Sequence, residues 1–422
     1  MAEELNQRRG FVAKVAHVIA VIWIQIGLTL VLFCLVSMAA GAIVKRVRRS
    51  QDHVPAPIEA YQGAPWTAEY FKSLADVRMR WYPYAYWKAT PMTSRYLNID
   101  PDGDRVTWNQ PRQANDRRPV LKVFMIGGST TWGTGVRDDH TVPSLLARRL
   151  ADNSGFDVQV INLGQIGYVT TQEIMLLYQL LRQGQRPDLV IFYDGVNDCF
   201  TAYQNGIAGL TQSEFFRAEE FSVLGSSWGR KKLYGTAIRT AMMSTGLADL
   251  IKLLRGQDNP NMTPHEIKPL EALRYLAMPQ DFEGTGGVER GVVDLYLFNV
   301  QMARMLGERF KFRSIFYWQP TVFSKSELAP FEHQLLLGDP MRQKFFAGTY
   351  ARIAAVAGAN GIKDISGILN GRPKVDFIDP YHLNEAANEI IAARMAADAA
   401  PLLADLARER GSAQHHTAAA SH

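Results

Sequence analysis

From Pro119 onward, short apolar runs alternate with amphipathic stretches, and no other feature constrains the fold as much. The run Val120 to Ile126 ends in Gly127-Gly128, and a helical pattern carrying Leu145, Leu146 and Leu150 follows Pro143. Four more runs follow: Val158 to Leu163, Leu189 to Tyr193, Ser314 to Trp318 and Val375 to Ile378. Helical patterns over Gln172 to Gln183, Arg342 to Ala357 and Glu385 to Leu406 alternate with them. Strands this short and this uniformly apolar are buried on both faces, and parallel neighbours need a crossover between them. The pattern therefore predicts an α/β fold, a doubly wound three-layer sandwich with a five-stranded parallel sheet. Between residues 201 and 287 the alternation stops. That insertion holds a helical stretch from Thr236 to Leu254, a loop with Pro260, Pro264 and Pro269, and a Gly-rich turn at Gly284 to Gly287, and it reads as a lid. The expected domain spans 119–408, and the tail 409–422 lacks periodicity and is expected to be disordered.

The N-terminal region is of a different kind. Residues 1–50 hold seven of the 46 basic residues and two of the 41 acidic ones, which accounts for the whole net charge of +5. The rest of the chain is balanced, so the basic total gives no support for nucleic-acid binding, which needs basic residues gathered on the folded domain. Residues 18–44 are almost entirely apolar, with Trp23 inside and basic residues on both sides. About 20 apolar residues cross a bilayer, so one membrane-spanning helix is expected over 18–44, and the apolar run is too long for a cleaved signal peptide. Residues 51–118 read as a polar, Pro-containing linker followed by an aromatic-rich segment, with Tyr70, Phe71, Trp81, Tyr82, Tyr84, Tyr86, Trp87 and Trp108. A sugar-binding surface is one use for such clustered aromatics, and packing against the main domain is the expected one. The two cysteines, Cys34 and Cys199, exclude a disulfide framework and a Cys-based zinc site. Neither a metal nor a cofactor is expected.

In open α/β sheets ligands bind beyond the carboxyl ends of the strands, so the residues just after each strand are the first to consider. The first run is followed by Gly127-Gly128-Ser129-Thr130-Thr131, the second contains and leads into Asn162-Leu163-Gly164-Gln165-Ile166-Gly167, the third leads into Gly195-Val196-Asn197-Asp198, and the fifth into Asp379-Pro380-Tyr381-His382. These residues suit acyl transfer through a covalent intermediate. A serine hydroxyl is a weak nucleophile until a base takes its proton, and His382 can do so. Asp379, three residues earlier, can reach the imidazole and fix its tautomer. The N–H groups of Ser129 and Gly167 and the carboxamide of Asn197 can receive the negative charge of a tetrahedral intermediate. Asp194 and Asp198 are expected to hold their loop by hydrogen bonds, and His140 and His333, neither of which follows a strand, to lie outside the site.

These blocks, in this order, resemble the SGNH (GDSL-like) hydrolase superfamily over roughly residues 120–400. The resemblance implies a flavodoxin-like sandwich, Ser129 as nucleophile, Gly167 and Asn197 in the oxyanion hole, and Asp379 with His382 as the Asp-x-x-His block. Gly128 stands where the family's name has Asp, and Thr130 where it has Leu. The Tyr96-Leu97-Asn98-Ile99-Asp100 block, with Gly103, Arg105 and Gln319-Pro320, further resembles membrane-anchored members associated with bacterial surface polysaccharides. Other Gly-rich readings fail. Gly128 to Gly133 lacks the Lys-Ser/Thr of a phosphate loop, Gly133-Thr134-Gly135 lacks a third glycine, and Ser129 lacks the second glycine of a nucleophile elbow.

The resemblance implies a serine esterase acting on O-acyl groups of a carbohydrate. Two alternatives remain: an O-acyltransferase using the same triad, and a non-catalytic, membrane-anchored component that joins polysaccharide-assembly proteins. Sidedness is finely balanced, with three basic residues before the span and four after it. The charged amino terminus and the exported substrates of the resembled enzymes favour a bacterial inner-membrane protein, N-terminus inside and catalytic domain in the periplasm.

Overall fold

A computed structural model of the 422-residue chain describes residues 2–50, 60–113, 116, 118–151, 155–214, 217, 246, 250–251, 287–337 and 339–419. The chain divides into two compact units, residues 1–53 with 219–265, and residues 54–218 with 266–422. In the first unit, helix α1 (Ala2–Ser50) includes the apolar stretch Lys14–Val44. Its 31 residues rise about 46 Å, more than the roughly 30 Å hydrocarbon layer requires. By length and composition α1 can cross a membrane.

The second unit is built on a five-stranded, all-parallel sheet of β3 (Val120–Gly127), β4 (Asp157–Asn162), β5 (Leu189–Asp194), β6 (Arg313–Trp318) and β7 (Ile362–Asp364). Helix α2 (Thr67–Ala75) and two short strands precede them, β1 (Met79–Tyr82) and β2 (Tyr86–Ala89), the strands forming an antiparallel hairpin. The order across the large sheet is β4-β3-β5-β6-β7. Side chains alternate across the strands and so make two cores. Val123, Met125, Ile191 and Tyr193 face α3 (Val142–Leu150) and α8 (Glu385–Ala419). Phe124, Ile126, Val190, Phe192 and Phe316 face the layer of α4 (Thr170–Arg182), α6 (Gly287–Phe310) and α7 (Pro340–Val356). Local chemistry sets the helix starts. Thr141 caps α3, with Pro143 in its first turn, and the Asp339 carboxylate accepts from Arg342 N–H at 2.9 Å at the start of α7.

Two expectations are corrected. The fifth strand is not Val375 to Ile378 but Ile362–Asp364, which pairs with Phe316 to Trp318. The N–H groups of Asp376 and Phe377 go instead to a carboxylate oxygen of Glu332, at 2.9 and 3.0 Å, and Phe377 bridges back to Leu383. The backbone of this run is thus satisfied without a neighbouring strand. At the C-terminus α8 runs on to Ala419, through residues expected to be disordered. That tail contains no proline, and each added residue extends an existing helix by one hydrogen bond. Residues 51–59 of the linker and most of the 201–287 insertion, including most of its helical stretch, its Pro-containing loop and its Gly-rich turn up to Gly286, lie outside the described residues.

Candidate active site

The order β4-β3-β5 places a topological switch between β3 and β5, where successive connections leave to opposite faces of the sheet. Ser129 follows β3 there and opens the single helical turn Ser129–Trp132, and Asn197 follows β5 in the first turn of α5 (Val196–Asn205). The Phe377–Leu383 bridge and the Ile378 N–H to His382 carbonyl bond, 2.9 Å, close a tight loop that brings Asp379 and His382 to the same place.

The contacts there form a relay. His382 Nε2 lies 2.7 Å from Ser129 Oγ, and His382 Nδ1 lies 2.6 Å from Asp379 Oδ2. The other Asp379 oxygen accepts the N–H groups of Tyr381 and His382, each at 2.8 Å. Burial alone raises the Asp379 carboxyl, but the charge of His382 and these hydrogen bonds outweigh it and hold the carboxyl below its ordinary range. Ser129 is only 8% exposed. Such an arrangement can take a proton from the serine hydroxyl and stabilise the imidazolium that results.

The oxyanion candidates meet beside it. Asn197 Nδ2 donates to the Tyr168 carbonyl at 2.7 Å, which holds the carboxamide against the turn before Ser129. A Cβ on Gly128 would overlap that nitrogen, so this position has no room for the aspartate of the family's namesake motif. Gly167 adopts φ 79°, a left-handed conformation that favours glycine, and a Cβ there would stand 2.7 Å from Gln212 Oε1 and 3.4 Å from Trp87 Cζ2. Asp198 joins the loops that carry Gly167 and Asn197: its Oδ1 accepts the N–H of Thr170 at 3.1 Å and the Thr170 hydroxyl as well. Burial pushes the Asp198 carboxyl up to about 6, although the Thr170 bonds oppose the rise. Burial likewise lifts its neighbours Asp194, to about 8, and Glu173, well above the ordinary range.

The five residues expected from the sequence are thus brought together, and the rival histidines are not part of the relay. His140 sits beside Arg137, 3.0 Å from its guanidinium, and His333 lies in the short helix Pro330–Leu335. Among the described residues no group of His, Cys, Asp and Glu is arranged to hold a metal. Three supporting residues have roles that only contacts reveal. Arg105, fully buried, donates to the carbonyls of Gly133 and Val136 at 2.6 and 2.7 Å and to Asp138 at 2.8 Å, which fixes the chain just after the nucleophile turn. Gln319 accepts the Thr130 hydroxyl at 3.1 Å, and Trp87 donates its indole N–H to the Ile166 carbonyl at 2.7 Å, next to Gly167.

A serine, imidazole and carboxylate at the switch point of a parallel sheet define a domain of the serine-hydrolase type. Residues 125–283 match the GDSL-like Lipase/Acylhydrolase family model, so this part of the chain is a GDSL-like hydrolase domain. No curated protein matches the chain. Among solved structures it is similar to a carbohydrate acetylesterase family member from Sinorhizobium meliloti (17% identity, 67% of this chain and 99% of that one, TM-score 0.32). It is also similar to a lipase/acylhydrolase from Enterococcus faecalis (14%, 66% and 95%, TM-score 0.34) and to the acetylxylan esterase Axe2 from Geobacillus stearothermophilus (11%, 65% and 92%, TM-score 0.30).

Proposed function

We propose that the protein is a membrane-anchored serine esterase that removes O-acyl groups from a carbohydrate through an acyl-Ser129 intermediate. The observation that carries this reading is the relay from Ser129 through His382 to Asp379, at 2.7 and 2.6 Å. Ser129 Oγ attacks the ester carbonyl while His382 Nε2 takes its proton. The N–H groups of Ser129 and Gly167 and the Asn197 carboxamide receive the oxyanion. Collapse of the intermediate breaks the bond to the alkoxide, which takes the proton from His382; water then attacks the acyl-serine with His382 again as base, and the bond to Ser129 Oγ breaks as Oγ takes the proton back and the free acid leaves. Asp379 keeps the proton on Nδ1, so that Nε2 faces the serine.

The carbohydrate part of the reading is supported by the resemblance to surface-polysaccharide enzymes, and the placement outside the bacterial inner membrane by the same resemblance and by the apolar stretch of α1. The test is to incubate the purified full chain with an O-acetylated oligosaccharide, with and without a deacetylated acceptor, and follow the acetyl group by mass spectrometry. Release to water is the expected result. Transfer to the acceptor sugar assigns the acyltransferase reaction instead, and an untouched ester contradicts both.

A further inference from the structure

The β1–β2 hairpin has a turn that ordinary chain economy does not explain. Tyr84 and Tyr86 both adopt positive φ, 65° and 73°, in the left-handed region that bulky side chains avoid. Strain of this kind persists only where the surroundings over-determine it, and it gathers at functional sites. Here the fixing groups are explicit. The buried side chains of Gln179 and Gln172, both on α4, donate to the Pro83 and Ala85 carbonyls at 2.7 Å each. The Tyr168 hydroxyl donates to the Trp87 carbonyl, while the Trp87 indole donates to Ile166. All four anchors belong to the segment that carries the oxyanion glycine Gly167 or to the helix that follows it.

What this scaffold displays is a row of rings. Trp87 lies against Gly167, Tyr86 stacks beside Trp87 with centroids 6.4 Å apart and planes at 27°, and Trp81 continues the row at 5.7 Å and 32°. The row passes from half-buried at Trp87 to open at Trp81, which is 68% exposed, and Tyr84 at the turn is 71% exposed. Polar groups meet it at its inner end, where Arg217 lies over one face of Trp87 and of Tyr86. The Tyr86 hydroxyl donates to Glu214 at 2.9 Å, the Arg217 guanidinium lies 4.5 Å from the Trp87 ring centre and 5.4 Å from that of Tyr86, and Gln212 stands at the inner end by Gly167.

We propose that this hairpin is a glycan subsite, in which the ring bearing the ester lies by Trp87 and Gly167 and further sugar rings extend over Tyr86 towards Trp81. A pyranose presents a flat C–H face to an aromatic ring and hydroxyls at its rim to polar groups, which matches the open rings of Trp81 and Tyr84 with guanidinium and amide groups at the inner end of the row. An open row also suits a polymer that continues past the site. This inference deepens the proposed esterase reading and depends on it for the position of the ester.

The test separates the two. Binding of O-acetylated oligosaccharides of one to six rings is measured by calorimetry on the full-length Ser129→Ala protein in detergent, alone and combined with Trp81→Ala or Tyr84→Gly. Affinity is expected to grow with ring number, and Trp81→Ala to weaken the longest ligand about tenfold while leaving the single ring unchanged. Tyr84→Gly relieves the positive φ, so its thermal midpoint is expected to hold or rise while long-ligand affinity falls. Hydrolysis of 4-nitrophenyl acetate by the wild-type protein tests the esterase reading separately, and its absence would sink that reading alone. Affinity independent of ring number, or unaffected by Trp81→Ala, overturns the subsite. So does Trp81 emission quenched by brominated lipid in nanodiscs without any response to glycan, which would assign the hairpin to the bilayer surface.

Discussion

The residues that carry the proposed chemistry were the most legible part of the sequence, because each stands directly after an apolar run and the four blocks keep their order. Ser129, Gly167, Asn197, Asp379 and His382 could be named on that basis. The reason for Gly128 could not, since it depends on the carboxamide of Asn197, which is distant in sequence. Gly128→Ala puts a methyl group where Asn197 Nδ2 lies and displaces the proposed oxyanion donor. Removing one such donor costs about 10²- to 10³-fold in kcat. We expect a fall of that size in kcat for 4-nitrophenyl acetate, with KM changed far less; a wild-type kcat would mean that Asn197 does not serve the transition state. Arg105 shows the same limit, because an arginine in a polar stretch gives no sign in sequence that it will be buried around the Gly133 and Val136 carbonyls.

At the scale of elements, strands β3 to β6 were legible because continuous β-rich apolar runs mark strands buried on both faces. The fifth was misplaced for two physical reasons. Ile362–Asp364 is too short to show a pattern, and Val375 to Ile378 satisfies its backbone through Glu332 and a bridge to Leu383. That loop gives a stability prediction. Glu332 and Asp376 share the buried Lys325 ammonium at 2.7 and 2.9 Å, so Glu332→Ala removes two backbone anchors and weakens the pairing of a buried charge. Breaking a buried pair costs about 3–5 kcal/mol. Urea denaturation is expected to show a loss of that order, and a change below about 1 kcal/mol would contradict the assignment. The carboxyl cluster of Glu173, Asp194 and Asp198, behind the loops that carry Gly167 and Asn197, gives a pH prediction. Asp198 binds its proton more tightly in the folded state, up to about 6, than at the ordinary unfolded value of about 3.9. Its contribution to stability is therefore complete below the unfolded value and is lost as pH rises through about 6. The thermal midpoint of Asp198→Asn is expected to fall less steeply than that of the wild type across this interval, and parallel curves would show that Asp198 does not carry the effect.

For the whole molecule, composition located the apolar stretch of α1 and the strand-end motifs located the site. The basic residues flanking the span are too evenly divided to fix its orientation. The proposed periplasmic placement predicts that alkaline phosphatase fused after His422 is active, whereas fluorescence from a reporter that matures only in the cytoplasm would reverse the orientation and remove an exported glycan as substrate. The central claim is that Ser129 is an activated nucleophile, and it can be tested without knowing the substrate. The full chain is treated with a fluorophosphonate, digested, and examined by mass spectrometry. The account predicts one phosphonyl adduct on the peptide bearing Ser129, absent from Ser129→Ala and formed far more slowly in His382→Ala. Esterase activity that persists in Ser129→Ala, or labelling of the wild type at another residue with Ser129 unmodified, would contradict it.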